Sequence, residues 1–97
     1  MATYLLLGSF TDQGIRAVKD TTKRAENLSK IGKKSGVTVR ETFWLLGQYD
    51  VAAILEAADD AAVTSFGLSL GKIGNVRTQT LRAFTADEMG GILGKLA

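Results

Sequence analysis

This 97-residue sequence predicts an α+β fold with the order β-α-β-β-α-β and a further helix at its end. Three observations predict it. Short apolar or β-branched runs recur at Tyr4–Leu7, Val37–Leu46, Val51–Leu55 and Val76–Phe84, each bounded by glycine or polar residues. Stretches with helical apolar spacing lie between the first and second runs and between the third and fourth. The turn residues Gly47-Gln48-Tyr49-Asp50 join the middle two runs as a hairpin.

Tyr4-Leu5-Leu6-Leu7 closes on Gly8 and Ser9 and reads as a buried strand. Thr11 and Asp12 then offer cap oxygens to a helical turn carrying Ile15 and Val18. A second cap cluster at Asp20, Thr21 and Thr22 predicts a break or kink near Asp20. Beyond it Ala25, Leu28 and Ile31 share one helical face, and Lys23, Glu26, Lys30 and Lys33 line the other. Gly36 is the stop signal. Asp59 and Asp60 cap the next helix, whose apolar face is Val63, Phe66, Leu70 and Ile73, and Gly74-Asn75 ends it. Thr85-Ala86-Asp87-Glu88 spells a capping box before a final helix with Met89, Ile92, Leu93 and Leu96. Gly90, Gly91 and Gly94 weaken that helix, so it needs tertiary contacts to persist.

This order is the split β-α-β pattern of ferredoxin-like folds. Right-handed crossovers place the first and third strands side by side in the centre. Both main helices then lie on one face of the sheet, and the other face should alternate polar with apolar residues. Tyr4–Leu7 and Val51–Leu55 do not alternate. Continuous apolar strands belong in sheets covered on both sides. The terminal helix could shield part of the second face, but a second copy of the chain is the simpler cover. The expectation is one domain over residues 1–97 that works as a homodimer or a higher homo-oligomer.

Composition narrows the chemistry. The residues are 45% apolar and 23% charged, a globular balance that argues against disorder. The net charge of +2 is too small to suggest a nucleic-acid partner. The sequence has no cysteine and no histidine. Thiolate metal sites, Cys nucleophiles and the commonest general base are therefore excluded. The carboxylates show no metal-ligand spacing, so no metal and no cofactor is expected. No apolar stretch reaches the roughly 20 residues of a membrane span, and Met1-Ala2-Thr3-Tyr4 lacks the basic start of a signal peptide. A cytoplasmic location is the default expectation, and there the sequon Asn27-Leu28-Ser29 would be silent.

Three motifs run through the chain in order: Phe10-Thr11-x-x-Gly14, Trp44-x-x-Gly47-x-Tyr49-Asp50, and Gly74-Asn75-Val76-Arg77-Thr78-Gln79-Thr80-Leu81-Arg82-Ala83-Phe84. With them the sequence resembles the GYD-domain proteins, small and mostly bacterial, named for a Gly-x-Tyr-Asp segment. The resemblance implies a dimeric α/β barrel, in which two ferredoxin-like sheets pack face to face. It implies no general activity. Gln79 departs from the Glu expected in the Arg-Thr-x-Thr stretch, which puts any base role there in doubt.

Trp44, Tyr49 and Asp50 meet at the hairpin and, with Thr11 and Arg77, form the candidate ligand-binding set. A Trp–Tyr pair can wall an apolar pocket and still offer N–H and O–H groups. A nearby carboxylate could accept a proton if burial raised its pKa. The structural alternative, preferred here, has Asp50 bonding turn amides and Tyr49 packing on a neighbour. Arg77 and Arg82 point to opposite faces of their strand, so at most one faces a barrel interior with Trp44. An interior Arg could hold an anion, or pair with Asp50 or Glu41. Gly67-Leu68-Ser69-Leu70-Gly71-Lys72 misses the phosphate-loop spacing, and Ile73 stands where Ser or Thr is needed. Its glycines are instead expected to let the helix approach the sheet. Lys19, Lys23, Lys30, Lys33 and Lys34 read as a solvated face, without the interleaved aromatic residues of a single-strand binder.

Three functional readings follow. The first is an oligomeric domain that binds a small apolar or anionic molecule in the barrel. The second is a cofactor-free enzyme, oxygenase- or isomerase-like, with Trp44, Tyr49 and Asp50 around its substrate. The third is a structural assembly module. The absence of histidine favours the first and third.

Overall fold

Alternation along the first strand decides which way the sheet faces. In β1 (Ala2–Phe10) Tyr4, Leu6 and Gly8 are buried while Leu5 and Leu7 are only half-buried. The buried set points to the helices. The computed structural model describes residues 1–97 and has one antiparallel four-stranded sheet in the order β2-β3-β1-β4. Its other strands are β2 (Val37–Trp44), β3 (Val51–Ala57) and β4 (Val76–Ala83). The fold is ferredoxin-like α+β, with the first and third strands central as the sequence predicts.

The break expected near Asp20 is present. A short helix α1 (Asp12–Arg16) is followed by a 3-10 turn at Val18–Asp20 and then by the long helix α2 (Thr21–Ser35). Thr11 caps α1 through its side chain, which accepts from the Gly14 amide. Gly36 closes α2 in the left-handed region, at φ 76°, where a side chain would be strained. Helix α3 (Asp60–Ile73) starts on the Asp59 side chain, which accepts from the Ala62 amide.

The core lies between the sheet and the two long helices. Phe66 of α3 and Leu55 of β3 are its largest fully buried side chains, surrounded by Tyr4, Leu6, Val37, Ala53, Val63 and Leu70. Burying a side chain of this size contributes about 1.5–3 kcal/mol. The Tyr4 phenol donates to Asp60 Oδ1 at 2.6 Å, which ties β1 to the start of α3. That bond pushes the Tyr4 pKa above its ordinary value, because losing the proton would set two negative oxygens together.

Two glycines set how closely segments meet. A Cβ on Gly14 would sit 1.9 Å from the Asn75 carbonyl oxygen, so α1 can lie against the α3–β4 link only with glycine there. A Cβ on Gly32 would sit 2.6 Å from the Val37 carbonyl oxygen, which fixes the C-terminal end of α2 close to β2. The glycines of α3 do otherwise than expected. Gly71 has nothing within 4 Å of a Cβ, and Gly67 meets only Thr78 Oγ1 at 3.7 Å. They widen a polar trough between α3 and the edge strand β4 rather than closing it.

The terminal helix α4 (Ala86–Leu93) has the predicted capping box on Thr85 and Glu88. It buries none of its residues, so it leaves the second face of the sheet open. No helix is long and apolar enough to cross a membrane.

Candidate functional site

The face turned away from the helices carries two rows that are apolar on three strands each and end in one polar residue at an edge. The cross-strand register places Leu81, Leu5, Ile54 and Glu41 in one row, and Gln79, Leu7, Ala52 and Phe43 in the next. Polar residues bound both rows: Thr3, Glu56 and Thr38 on one side, Arg77 and Ser9 on the other. Phe43 is 47% exposed and Leu81 40% exposed. An apolar centre with a polar rim is the anatomy of a protein interface.

The five candidate residues do not converge. Trp44 lies on the helix side, where its Nε1–H donates to Thr21 Oγ1 at 2.9 Å. Tyr49 lies on the open side, where its hydroxyl donates to Gln79 Oε1 at 2.7 Å. The cause is a bulge in β2: the pairing shifts between Val39 and Glu41, leaving Arg40 as the extra residue. Val39 faces the helices, and without the bulge Glu41 and Phe43 would do the same. The extra residue turns Phe43 out to the open face and Trp44 in toward α2. So Trp44 and Tyr49 wall no common pocket, and Trp44 does not face the open side with Arg77.

Asp50 serves β1. Its Oδ2 accepts from the Phe10 amide at 2.8 Å, its own amide donates to the Gly8 carbonyl, and its carbonyl accepts from Leu45. The amide that its carboxylate holds is thus at the far end of β1 and not in the turn. Gly47 takes φ 132°, as the turn requires. Thr11 clamps the α3–β4 link as well as capping α1: its hydroxyl donates to the Gly74 carbonyl at 2.6 Å and its amide to Asn75. Arg77 is exposed, shares the open-face register of Ser9 at the β4 edge, also borders the trough between α3 and β4, and pairs with neither Asp50 nor Glu41. The two salt bridges are Arg40–Glu56 and Arg82–Glu88. Gln79, marked in the sequence as a departure, accepts the Tyr49 hydroxyl.

A separate hollow of about 370 Å³ lies on the other side of the sheet, beneath α2. Trp44 lines it; Tyr49, Asp50, Thr11 and Arg77 do not. Sequence reasoning missed it, because Ala53 and Ala25 read there as ordinary small core residues.

The GYD-domain model matches residues 4–93. The chain belongs to the GYD-domain family. A relative in that family, 30% identical over 90 residues, is the glutamine synthetase and cystathionine beta-lyase binding protein of Thermus thermophilus; the match covers 92% of this chain and 95% of that one. Among solved structures, FFRP-DM1 superposes with a TM-score of 0.62 at 19% identity, over 87% of this chain and 100% of that one. The protein TTHA0845, also from Thermus thermophilus, superposes with a TM-score of 0.58 at 23% identity, over 89% and 96%. Both are likenesses of fold.

Proposed function

We propose that this GYD-domain protein is a homo-oligomeric binding protein that acts on other proteins by docking and not by catalysis. The pair of apolar rows on the open sheet face carries the reading. In a two-fold assembly that patch meets its own copy, as a face-to-face barrel requires. The edges support a second copy as the occupant. Glu41 stands at the β2 edge and Arg77 at the β4 edge, neither with an intrachain ion partner. Two sheets packed about a two-fold axis with their opposite edges together would set an acidic edge over a basic one, with Glu41 and Arg77 two rows apart along the strands.

The Thermus relative is named for binding two enzymes. That name, with 30% identity over nearly the whole chain, supports enzymes as partners of this protein also. The cofactor-free enzyme reading loses its supposed centre, since Trp44, Tyr49 and Asp50 are each bonded apart from the others. A small anion in the space between two sheets is a second reading. It is favoured by one observation: Arg77 and the Tyr49–Gln79 pair share the open side.

Calorimetric titration of purified glutamine synthetase and cystathionine β-lyase from the same organism with this protein tests the docking reading. Saturable binding to at least one of them, at micromolar concentration or below, is expected. No heat of binding with either enzyme would overturn it.

A further inference from the structure

We propose that the hollow beneath α2 is a binding site for a small amphiphile with an apolar body and one anionic head, such as a medium-chain carboxylate. It lies on the opposite side of the sheet from the face assigned to assembly. Its floor is Leu6, Val51 and Ala53 of the central strands, and its roof is Ala25, Leu28 and Ile31 of α2. At about 370 Å³ it falls within the roughly 300–1,000 Å³ of small-molecule sites.

The hollow is a built wedge. Helix α2 is pinned close to β2 at its C-terminal end, where Gly32 rides on the Val37 carbonyl. Its N-terminal end meets the sheet through the Trp44 indole and is tied to α1 and the start of the 3-10 turn through Arg24. Trp44 Nε1 donates to Thr21 Oγ1 at 2.9 Å. Arg24 donates to the Ala17 carbonyl at 2.7 Å and to the Gly14 carbonyl at 3.2 Å. Small side chains then leave the space between open: Ala25 above, Ala53 below. Leu or Ile at either position would fill it, as in an ordinary core.

The head group follows from charge. Arg24 lines the hollow, and its guanidinium lies 5.8 Å from the Phe10 ring centroid. Its bonds go to neutral carbonyl oxygens, and no carboxylate pairs with it. Two of its five N–H groups are spent on those carbonyls, so others remain for a bidentate contact with a carboxylate. Lys30 also lines the hollow, and no carboxylate does. An apolar chamber with uncompensated positive charge at its wall fits an anion with a hydrocarbon tail.

The test is titration of the 15N-labelled protein with decanoate, followed by amide and Trp indole shifts, beside decanol and two variants. Decanoate should move the Trp44 indole and the amides of Ala25, Leu28 and Ala53 saturably. Decanol should bind about tenfold more weakly, the loss of one charge-assisted contact. Ala25→Leu should fill the roof and abolish the shifts while raising the melting temperature. Arg24→Gln, which keeps donors for the carbonyls but removes the charge, should weaken decanoate about tenfold and leave decanol unchanged. If Arg24→Gln does not fold, the decanoate–decanol comparison on the unaltered protein carries the charge test. No saturable shift at millimolar decanoate would overturn the proposal. So would shifts confined to Leu5, Leu7 and Leu81 on the other side of the sheet, or equal affinity for decanol.

Discussion

Asp50 shows how one residue of a family motif is spent on shape. Its carboxylate holds the Phe10 amide, just where β1 leaves the sheet for α1, while its backbone bonds Gly8 and Leu45. The part-buried Phe10 N–H would have no such partner without it, and leaving a buried donor unmatched costs about 1–3 kcal/mol. Asp50→Asn keeps an acceptor oxygen; Asp50→Ala keeps none. Thermal melts at fixed protein concentration should therefore place Ala about 2 kcal/mol below the natural protein and Asn well above Ala. Equal stability of all three would show that the Phe10 bond contributes nothing. Sequence reasoning assigned Asp50 a structural task but not its partner, which lies 40 residues away along the chain. Trp44 marks a sharper limit. Alternation counted from Val37 misplaces it, because one extra residue at Arg40 inverts the faces of everything after it in β2. Nothing in the composition of Val37–Trp44 announces that bulge.

At the scale of elements, α4 is the segment that needs support. It has 8 residues, and helices shorter than about 12–15 residues are marginal alone in water. What holds it is its first turn: Thr85 and Glu88 cap each other, and Glu88 Oε2 accepts from Arg82 at 3.1 Å. The bond from the Thr85 amide, and then the Arg82 guanidinium, hold the Glu88 carboxyl below its ordinary pKa of 4.5. A lowered pKa contributes stability that is complete above that ordinary value and is lost as pH falls through the depressed one. Acid titration followed by NMR should show α4 amides losing exchange protection as Glu88 protonates, below pH 4.5 and before the sheet amides respond. Arg82→Met should move that loss to higher pH. Coincident loss of α4 and the sheet would contradict the independent cap. The capping box was legible because it is local, four adjacent residues with fixed roles. The order of strands was legible too, from apolar runs and the handedness of crossovers. The wedge under α2 was not, since it depends on how far a helix stands from a sheet, which no periodicity records.

For the whole molecule, shape argues for assembly. The principal extents are 51 × 30 × 18 Å, and the thin dimension is the depth of one sheet and one helix layer. Stable domains enclose their apolar surfaces between layers, and here one surface of the sheet has no second layer. The family motifs suggest a paired barrel only through resemblance; the register adds a physical argument for the proposed second copy, with Leu5, Leu7, Ile54, Phe43 and Leu81 gathered on the uncovered side. Those residues were legible as apolar strands, but what would cover them was not, because no local pattern in a chain encodes the orientation of a second copy. Sedimentation equilibrium at micromolar concentration, on the natural protein and on the Leu5→Lys, Leu81→Lys double variant, tests the assembly most directly. The natural protein should show at least twice the chain mass of 10.3 kDa, and the double variant should fall to 10.3 kDa with its circular dichroism unchanged. A natural protein that sediments at 10.3 kDa and binds no hydrophobic dye would contradict the account.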